Sequence, residues 1–232
     1  RRRLMDFALD EQQQAIRDAF RRFVDEKIVP RARAIDEAAA FPREEFRAVG
    51  ELGFFGMRYP EEVGGTNQDV VTYCLAVEEL ARGSLSVAAA CTMQSLMGTW
   101  FLHRSGDAAI RDEFLVPALA GDKVGTICFT EPGAGSDLSA IETRARRDGG
   151  DFVITGHKTW ITSAPVADFF TVWAKVGDRE LAPYLVPRDT PGLAVGRNIP
   201  KTGVRASVTS EVFLNDCRVP ARHRLAPEGK GR

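Results

Sequence analysis

The spacing of apolar residues changes once along this chain, near Gly121, and that change limits the fold more than any other feature. Before it, apolar side chains recur at helical spacing; after it, they alternate with polar ones in short β-branched runs. Helices first and strands second predict an α+β protein and argue against an alternating βαβ fold. The expected organisation is an N-terminal all-α helical domain over residues 1–121, followed by a β-barrel or sandwich middle domain over residues 122–232.

Within the first half, Asp10 followed by Gln13 predicts a capping box, and Ile16, Phe20, Phe23, Val24 and Ile28 share one helical face. Pro30 is expected to end that helix. Further helices are predicted over 43–52, 69–81, 86–102 and 107–119, with a loop at 59–65. The segment 86–102 is apolar almost all round, which predicts a buried central helix. In the second half, 151–154 and 158–162 read as strands around a Thr155-Gly156-His157 turn, a hairpin signal. Strands are also expected over 168–176, 183–186 and 209–214.

A formal net charge of -1 gives no electrostatic reason for a nucleic acid or an anionic membrane as partner. No apolar run approaches the roughly 20 residues that span a bilayer, so no membrane association is expected. Arg1-Arg2-Arg3 is too short to be an interaction tail. The four cysteines are widely spaced and lack a CxxC pair, which favours reduced thiols and a cytoplasmic protein. His103, His157 and His223 fit no ligand spacing, and no metal site is expected.

Residues 130–137 (Thr-Glu-Pro-Gly-Ala-Gly-Ser-Asp) form the most distinctive short segment. A proline and two glycines break regular structure, and glycine lets backbone N–H groups approach a flat or anionic ligand. The glycine spacing does not match a dinucleotide fingerprint, and no amphipathic helix follows. Further on, strict alternation along a strand places Trp160 and Thr162 on one face. An indole and a hydroxyl side by side suit an aromatic heterocycle, the ring packing on it and the threonine donating to a ring nitrogen. Trp160 filling the barrel core is the simpler reading when the pair is taken alone.

Together these residues form an ordered set that resembles the acyl-CoA dehydrogenase family. The set comprises Leu9-Asp10-Glu11-Gln12, Tyr59-Pro60-Glu61-Glu62-Val63-Gly64-Gly65, Glu78-Glu79-Leu80-Ala81-Arg82, and Ile127-Cys128-Phe129 running into the 130–137 loop. It continues with Gly156-His157-Lys158-Thr159-Trp160-Ile161-Thr162, Thr190-Pro191-Gly192-Leu193, Asn215-Asp216-Cys217-Arg218-Val219-Pro220 and Glu228-Gly229-Lys230-Gly231. His157 and the Ser163-Ala164-Pro165 run depart from the family pattern beside the flavin strand.

The resemblance implies FAD as cofactor, with Ile127, Phe129, Thr130, Gly135, Ser136, Trp160, Ile161 and Thr162 at the flavin. In that reading Thr130 contacts the pyrimidine side, Trp160 packs beside the ring and Thr162 hydrogen-bonds near N5. Ser136 reaches toward phosphates and the substrate. The acyl tail is expected along the segment containing Ala90, Cys91, Gln94, Ser95 and Leu96, with Gln94 and Ser95 as substrate contacts. The implied reaction is α,β-desaturation of an acyl-CoA, or of an acyl group on a carrier, with an electron-transfer flavoprotein as acceptor. A homotetramer or hetero-oligomer is the implied assembly. The family's catalytic glutamate lies in a C-terminal helical domain, and no residue of this sequence matches it. Glu131 belongs to the flavin loop and is not a candidate. The alternative is a non-catalytic or partner-dependent subunit of a heteromeric dehydrogenase, or a relative acting on carrier-bound acyl groups.

Overall fold

The computed structural model describes residues 7–177 and 180–227; Arg1-Arg2-Arg3 and Glu228-Gly229-Lys230-Gly231 lie outside them. Helices α1 (Glu11–Phe23), α2 (Ala32–Ala38), α3 (Arg43–Glu51), α4 (Val70–Gly83), α5 (Leu85–Thr92), α6 (Trp100–Ser105), α7 (Ala108–Ile110) and α8 (Val116–Ala120) precede the strands. They are followed by β1 (Gly125–Cys128), β2 (Arg144–Asp148), β3 (Asp151–Thr162), β4 (Phe169–Val176), β5 (Glu180–Pro187), β6 (Leu193–Val195) and β7 (Thr209–Pro220). Helices followed by a curled sheet is the expected α+β order.

The capping box is present: Asp10 accepts from the Gln13 N–H at 2.8 Å, and Gln13 accepts from the Asp10 N–H at 3.2 Å. Pro30 does not end the helical path. A π turn over Val24–Ile28 and a 3-10 turn over Val29–Arg31 carry the chain into α2, because the altered bonding needs no N–H from the proline. The segment 86–102 is likewise less regular than expected, with a π turn (Met93–Gly98) between α5 and α6. By length and composition the helical run Leu85–Ser105 could cross a bilayer, contrary to the sequence expectation. Here Val87, Ala88, Ala90, Cys91 and Leu102 are buried in the helical core, the environment of a central helix in a folded domain.

The seven strands form one sheet in the order β1-β4-β2-β3-β7-β6, with β5 on the other edge of β4. β1 runs parallel to β4, whereas β3 pairs antiparallel with both β2 and β7. The expected hairpin at Thr155-Gly156-His157 is absent: β3 is one strand of 12 residues. Gly156 serves close packing instead of a turn, since a Cβ there would lie 2.2 Å from the Thr143 hydroxyl. Inside the curl, Phe152, Ile154, Ile161, Phe170, Val172, Tyr184, Val212 and Leu214 form the sheet core. Strands β1, β2 and β6 lacked a clear pattern in sequence; β2 reads Arg-Ala-Arg-Arg-Asp and buries Ala145 alone.

Gln94, in the π turn, joins the helices to the sheet. Its amide donates to the carbonyls of Ala118 and Lys123, both at 2.8 Å, and its oxygen accepts from the Gly125 N–H at 2.8 Å. Gly98 packs directly on Gly125, where a Cβ would come within 2.6 Å of the carbonyl oxygen. A second tie runs from Asp36 to Arg205, with both the backbone N–H and Nε of Arg205 donating to the carboxylate. Gln94→Leu keeps volume but strands three buried backbone groups, so urea unfolding should show a stability loss of about 2 kcal/mol or more. A loss under about 0.5 kcal/mol would contradict the joining role.

Candidate functional site

Loop 130–137 leaves β1 and returns toward β2, and its fold is set by one residue that sequence reasoning passed over. Lys158 is fully buried in β3, and its Nζ donates to Glu131 Oε1 at 2.8 Å and to the Phe129 carbonyl at 3.1 Å. Glu131 is also buried: Oε1 accepts from the Thr143 N–H at 3.0 Å and its hydroxyl at 2.5 Å, and Oε2 from the Glu142 N–H at 2.6 Å. The loop closes through reciprocal backbone bonds between Glu131 and Ala134, at 2.9 and 3.1 Å. Next to Lys158, the Thr159 N–H donates to the Thr130 carbonyl at 2.9 Å. Residues 129–131 are thus held to 158–159 point by point.

Burial alone would raise the Glu131 carboxyl, but the bonds from Lys158, Thr143 and Glu142 outweigh it and hold the group below the ordinary glutamate value. Burial also draws the Lys158 ammonium below the ordinary lysine value, opposed by the Glu131 carboxylate. Both oxygens of the Glu131 carboxylate are thus occupied by donors from Lys158, Thr143 and Glu142.

Just past Lys158 the strand bulges: Lys158 pairs with Val212 and Ile161 with Ser210, so two residues oppose one. Trp160 sits in this bulge at φ 58°, a left-handed conformation costly for a bulky side chain. The bulge interrupts the alternation from which a shared Trp160/Thr162 face was inferred, so that argument does not apply here. It also removes the core-filling reading, because the indole is 59% exposed. Thr162 is half-buried, and its carbonyl accepts from the buried Thr126 hydroxyl at 2.6 Å. Ser163 follows at φ 63°.

The remaining expected residues divide by exposure. Thr130 is half-buried, whereas Gly135 and Ser136 are exposed, with open space where a Gly135 side chain would stand. Phe129 stacks on Trp173 at 4.8 Å, and Trp173 meets Phe101 edge-on at 5.3 Å. Ile127 is buried in the same cluster, and Ile161 lies in the sheet core, so neither side chain is open to a ligand. Gln94 and Ser95 are also buried. Both Gln94 amide protons go to backbone carbonyls, and the Ser95 hydroxyl pairs with Tyr73 at 2.6 Å. Leu96, Met97 and Trp100 are the exposed apolar side chains of that stretch. Among the described residues, no group of three His, Cys, Asp or Glu could hold a metal ion.

Geometry and comparison agree on the class of protein. The chain matches the family model for the acyl-CoA dehydrogenase N-terminal domain over residues 10–122 and that for the middle domain over residues 126–217. This chain belongs to the acyl-CoA dehydrogenase family. It is 58% identical over 225 residues to benzylmalonyl-CoA dehydrogenase of Aromatoleum aromaticum, covering 97% of this chain and 60% of that protein. Butyryl-CoA dehydrogenase from Megasphaera elsdenii superimposes with a TM-score of 0.91 at 31% identity, covering 98% of this chain and 61% of that one. A glutaryl-CoA dehydrogenase from Mycobacterium smegmatis in complex with FADH2 gives 0.89 at 36% identity, covering 94% and 56%. The chain therefore spans about three fifths of the length of these relatives.

Removing one member of the buried pair should be costly. Lys158→Met leaves the Glu131 carboxylate unpaired, with an expected loss of about 3–5 kcal/mol at neutral pH. Because Glu131 is held low in the fold, its contribution is present above the ordinary value of 4.5 and is lost as pH falls through the folded value. The stability gap between wild type and Lys158→Met should thus narrow on acidification, measured by urea unfolding across that range. A gap independent of pH would contradict the assignment.

Proposed function

We propose that this chain supplies the helical and sheet portions of an FAD-dependent acyl-CoA dehydrogenase that desaturates an acyl thioester between its α and β carbons. The observation that carries this reading is the exposed indole of Trp160, held on a left-handed bulge that the Lys158–Glu131 pair ties to loop 130–137. A bulky residue kept in a costly conformation with its ring in solvent fits a surface built for a ligand. The donor set fits a flavin: hydroxyls of Thr130, Ser136 and Thr162, a flat indole, and a glycine at 135 with no atom crowding its approach.

When bound, FAD supplies the two-electron acceptor for the β-hydride. In this reading the Thr130 and Thr162 hydroxyls orient the heterocycle by donating to its acceptor atoms, and Trp160 covers the ring and excludes water. Ser136, exposed on the loop, serves the phosphate-bearing end of cofactor or thioester. Glu131 moves no proton, since its carboxylate is occupied by Lys158, Thr143 and Glu142. Proton abstraction is assigned to the family's C-terminal helical domain.

The substrate we infer is a CoA thioester with an aryl-substituted dicarboxylic acyl group, of the benzylmalonyl-CoA type, supported by the 58% identity above. The exposed Leu96, Met97 and Trp100 offer the apolar surface such an acyl group requires. An electron-transfer flavoprotein as acceptor, a homotetramer and a cytoplasmic location complete the proposal. The four free thiols support a reducing compartment.

Anaerobic addition of benzylmalonyl-CoA to the flavin-loaded enzyme that includes the family's C-terminal helical domain, the source of the base, should bleach the flavin absorbance faster than butyryl-CoA does. Bleaching by butyryl-CoA alone would contradict the substrate assignment, and no bleaching by any acyl-CoA would contradict the reaction. Trp160→Ala should change unfolding stability by no more than about 0.5 kcal/mol, since the side chain is exposed, while lowering flavin occupancy. Unchanged occupancy would remove Trp160 from the site.

A further inference from the structure

A lysine and a glutamate, Lys158 and Glu131, are buried as an ion pair behind the loop. Stability is a poor reason for that burial, because replacing a buried ion pair with well-packed neutral groups is often neutral or favourable. The consequence of the pair is positional. Lys158 lies on β3 two residues before Trp160, and its ammonium grips both the Phe129 carbonyl and the Glu131 carboxylate. The same carboxylate holds the backbone at Glu142 and Thr143, where the chain enters β2. One interaction therefore joins three segments: the bulged strand, the 130–137 loop and the lead into β2. The other restraints on the loop are the Thr159–Thr130 backbone bond and the buried Ala134, which packs with Ile127, Ile141 and Trp173. Pro132, Gly133, Gly135 and Ser136 are exposed, and the Glu131–Ala134 bridge is internal to the turn.

We propose that Lys158 and Glu131 are positioning residues: their buried pair sets the spacing between loop 130–137 and the Trp160–Thr162 segment, and through that spacing tunes the electron affinity of the bound flavin. The inference rests on the flavin reading given above. The pair carries no net charge, so its influence on the ring runs through the placement of donors and not through a bare charge. Shortening or neutralising the pair moves Thr130 relative to Trp160 and Thr162. The hydrogen bonds that favour the oxidised or the reduced ring then change with it.

Two variants test this in the flavin-loaded protein. Lys158→Met with Glu131→Gln replaces the ion pair by neutral side chains of similar volume, so that no buried charge is left alone. Glu131→Asp keeps the charge but withdraws the carboxylate by one methylene, and it serves if the double variant fails to fold. Flavin affinity is read by titrating apoprotein with FAD. Electron affinity is read by equilibrating bound flavin with a reference dye. The expected result is a change on the order of tenfold in the oxidised-to-reduced equilibrium, with a displaced flavin absorption band. Glu131→Asp should show the smaller change. Variants that bind FAD with the wild-type equilibrium and spectrum overturn the positioning role while leaving the flavin reading intact. A wild-type protein that takes up no FAD overturns that reading itself.

Discussion

Lys158 and Glu131 meet in the interior at 2.8 Å, each almost fully removed from solvent, and the arrangement of the candidate site follows from that contact. A buried ammonium needs a counter-charge and several acceptors, so Lys158 draws in both the Glu131 carboxylate and the Phe129 carbonyl. A buried carboxylate needs donors, so Glu131 takes the backbone and hydroxyl of Thr143 and the backbone of Glu142. Satisfying both groups folds the 130–137 loop back against β3. The loop's own apolar packing is limited to Ala134, which meets Ile127, Ile141 and Trp173, since six of its eight residues point outward or only half inward.

A second constraint sets this assembly relative to the helices. Gln94 lies where α5 gives way to a π turn, and its amide bridges the end of α8 to the first residue of β1. The close approach of Gly98 to Gly125 presses the same turn onto β1, whose next residues lead into the loop. Met93 and Phe101 pack on the Ile127, Phe129 and Trp173 cluster from the helical side. The exposed Leu96, Met97 and Trp100 consequently belong to a helix whose position is tied to the sheet bearing Trp160. In physical terms, the exposed apolar side chains of the helical half and the exposed indole of Trp160 are placed by one joint.

Much of this was legible in the residue order. The capping box at Asp10 and Gln13, the change of period near Gly121 and the glycine-rich loop are local signals, and local signals survive folding. Pro30 misled because a π turn and a 3-10 turn absorb its missing N–H, an adjustment with no marker in the sequence. The Thr155-Gly156-His157 hairpin misled because glycine serves turns and close packing alike, and only the approach of Thr143 decides between them. The resemblance places Gln94 among the substrate contacts, but sequence alone does not show its bonds to backbone groups 24 to 31 residues away. Lys158 was visible as a charge inside an otherwise strand-like run, yet its meaning depends on Glu131, 27 residues earlier. Side-chain networks between distant segments are what periodicity does not encode.

In the proposed site, the bulge at Trp160 and the loop 130–137 form one wall of the flavin pocket. Of the three tryptophans, Trp100, Trp160 and Trp173, the second alone stands on that wall with its ring exposed. Titrating apoprotein with FAD while following tryptophan emission, in wild type and in Trp160→Phe, tests this placement directly. Strong quenching is expected in the wild type, with loss of most of the FAD-dependent change in the variant. Undiminished FAD-dependent quenching in Trp160→Phe would show that the flavin sits against another part of the molecule and would contradict it.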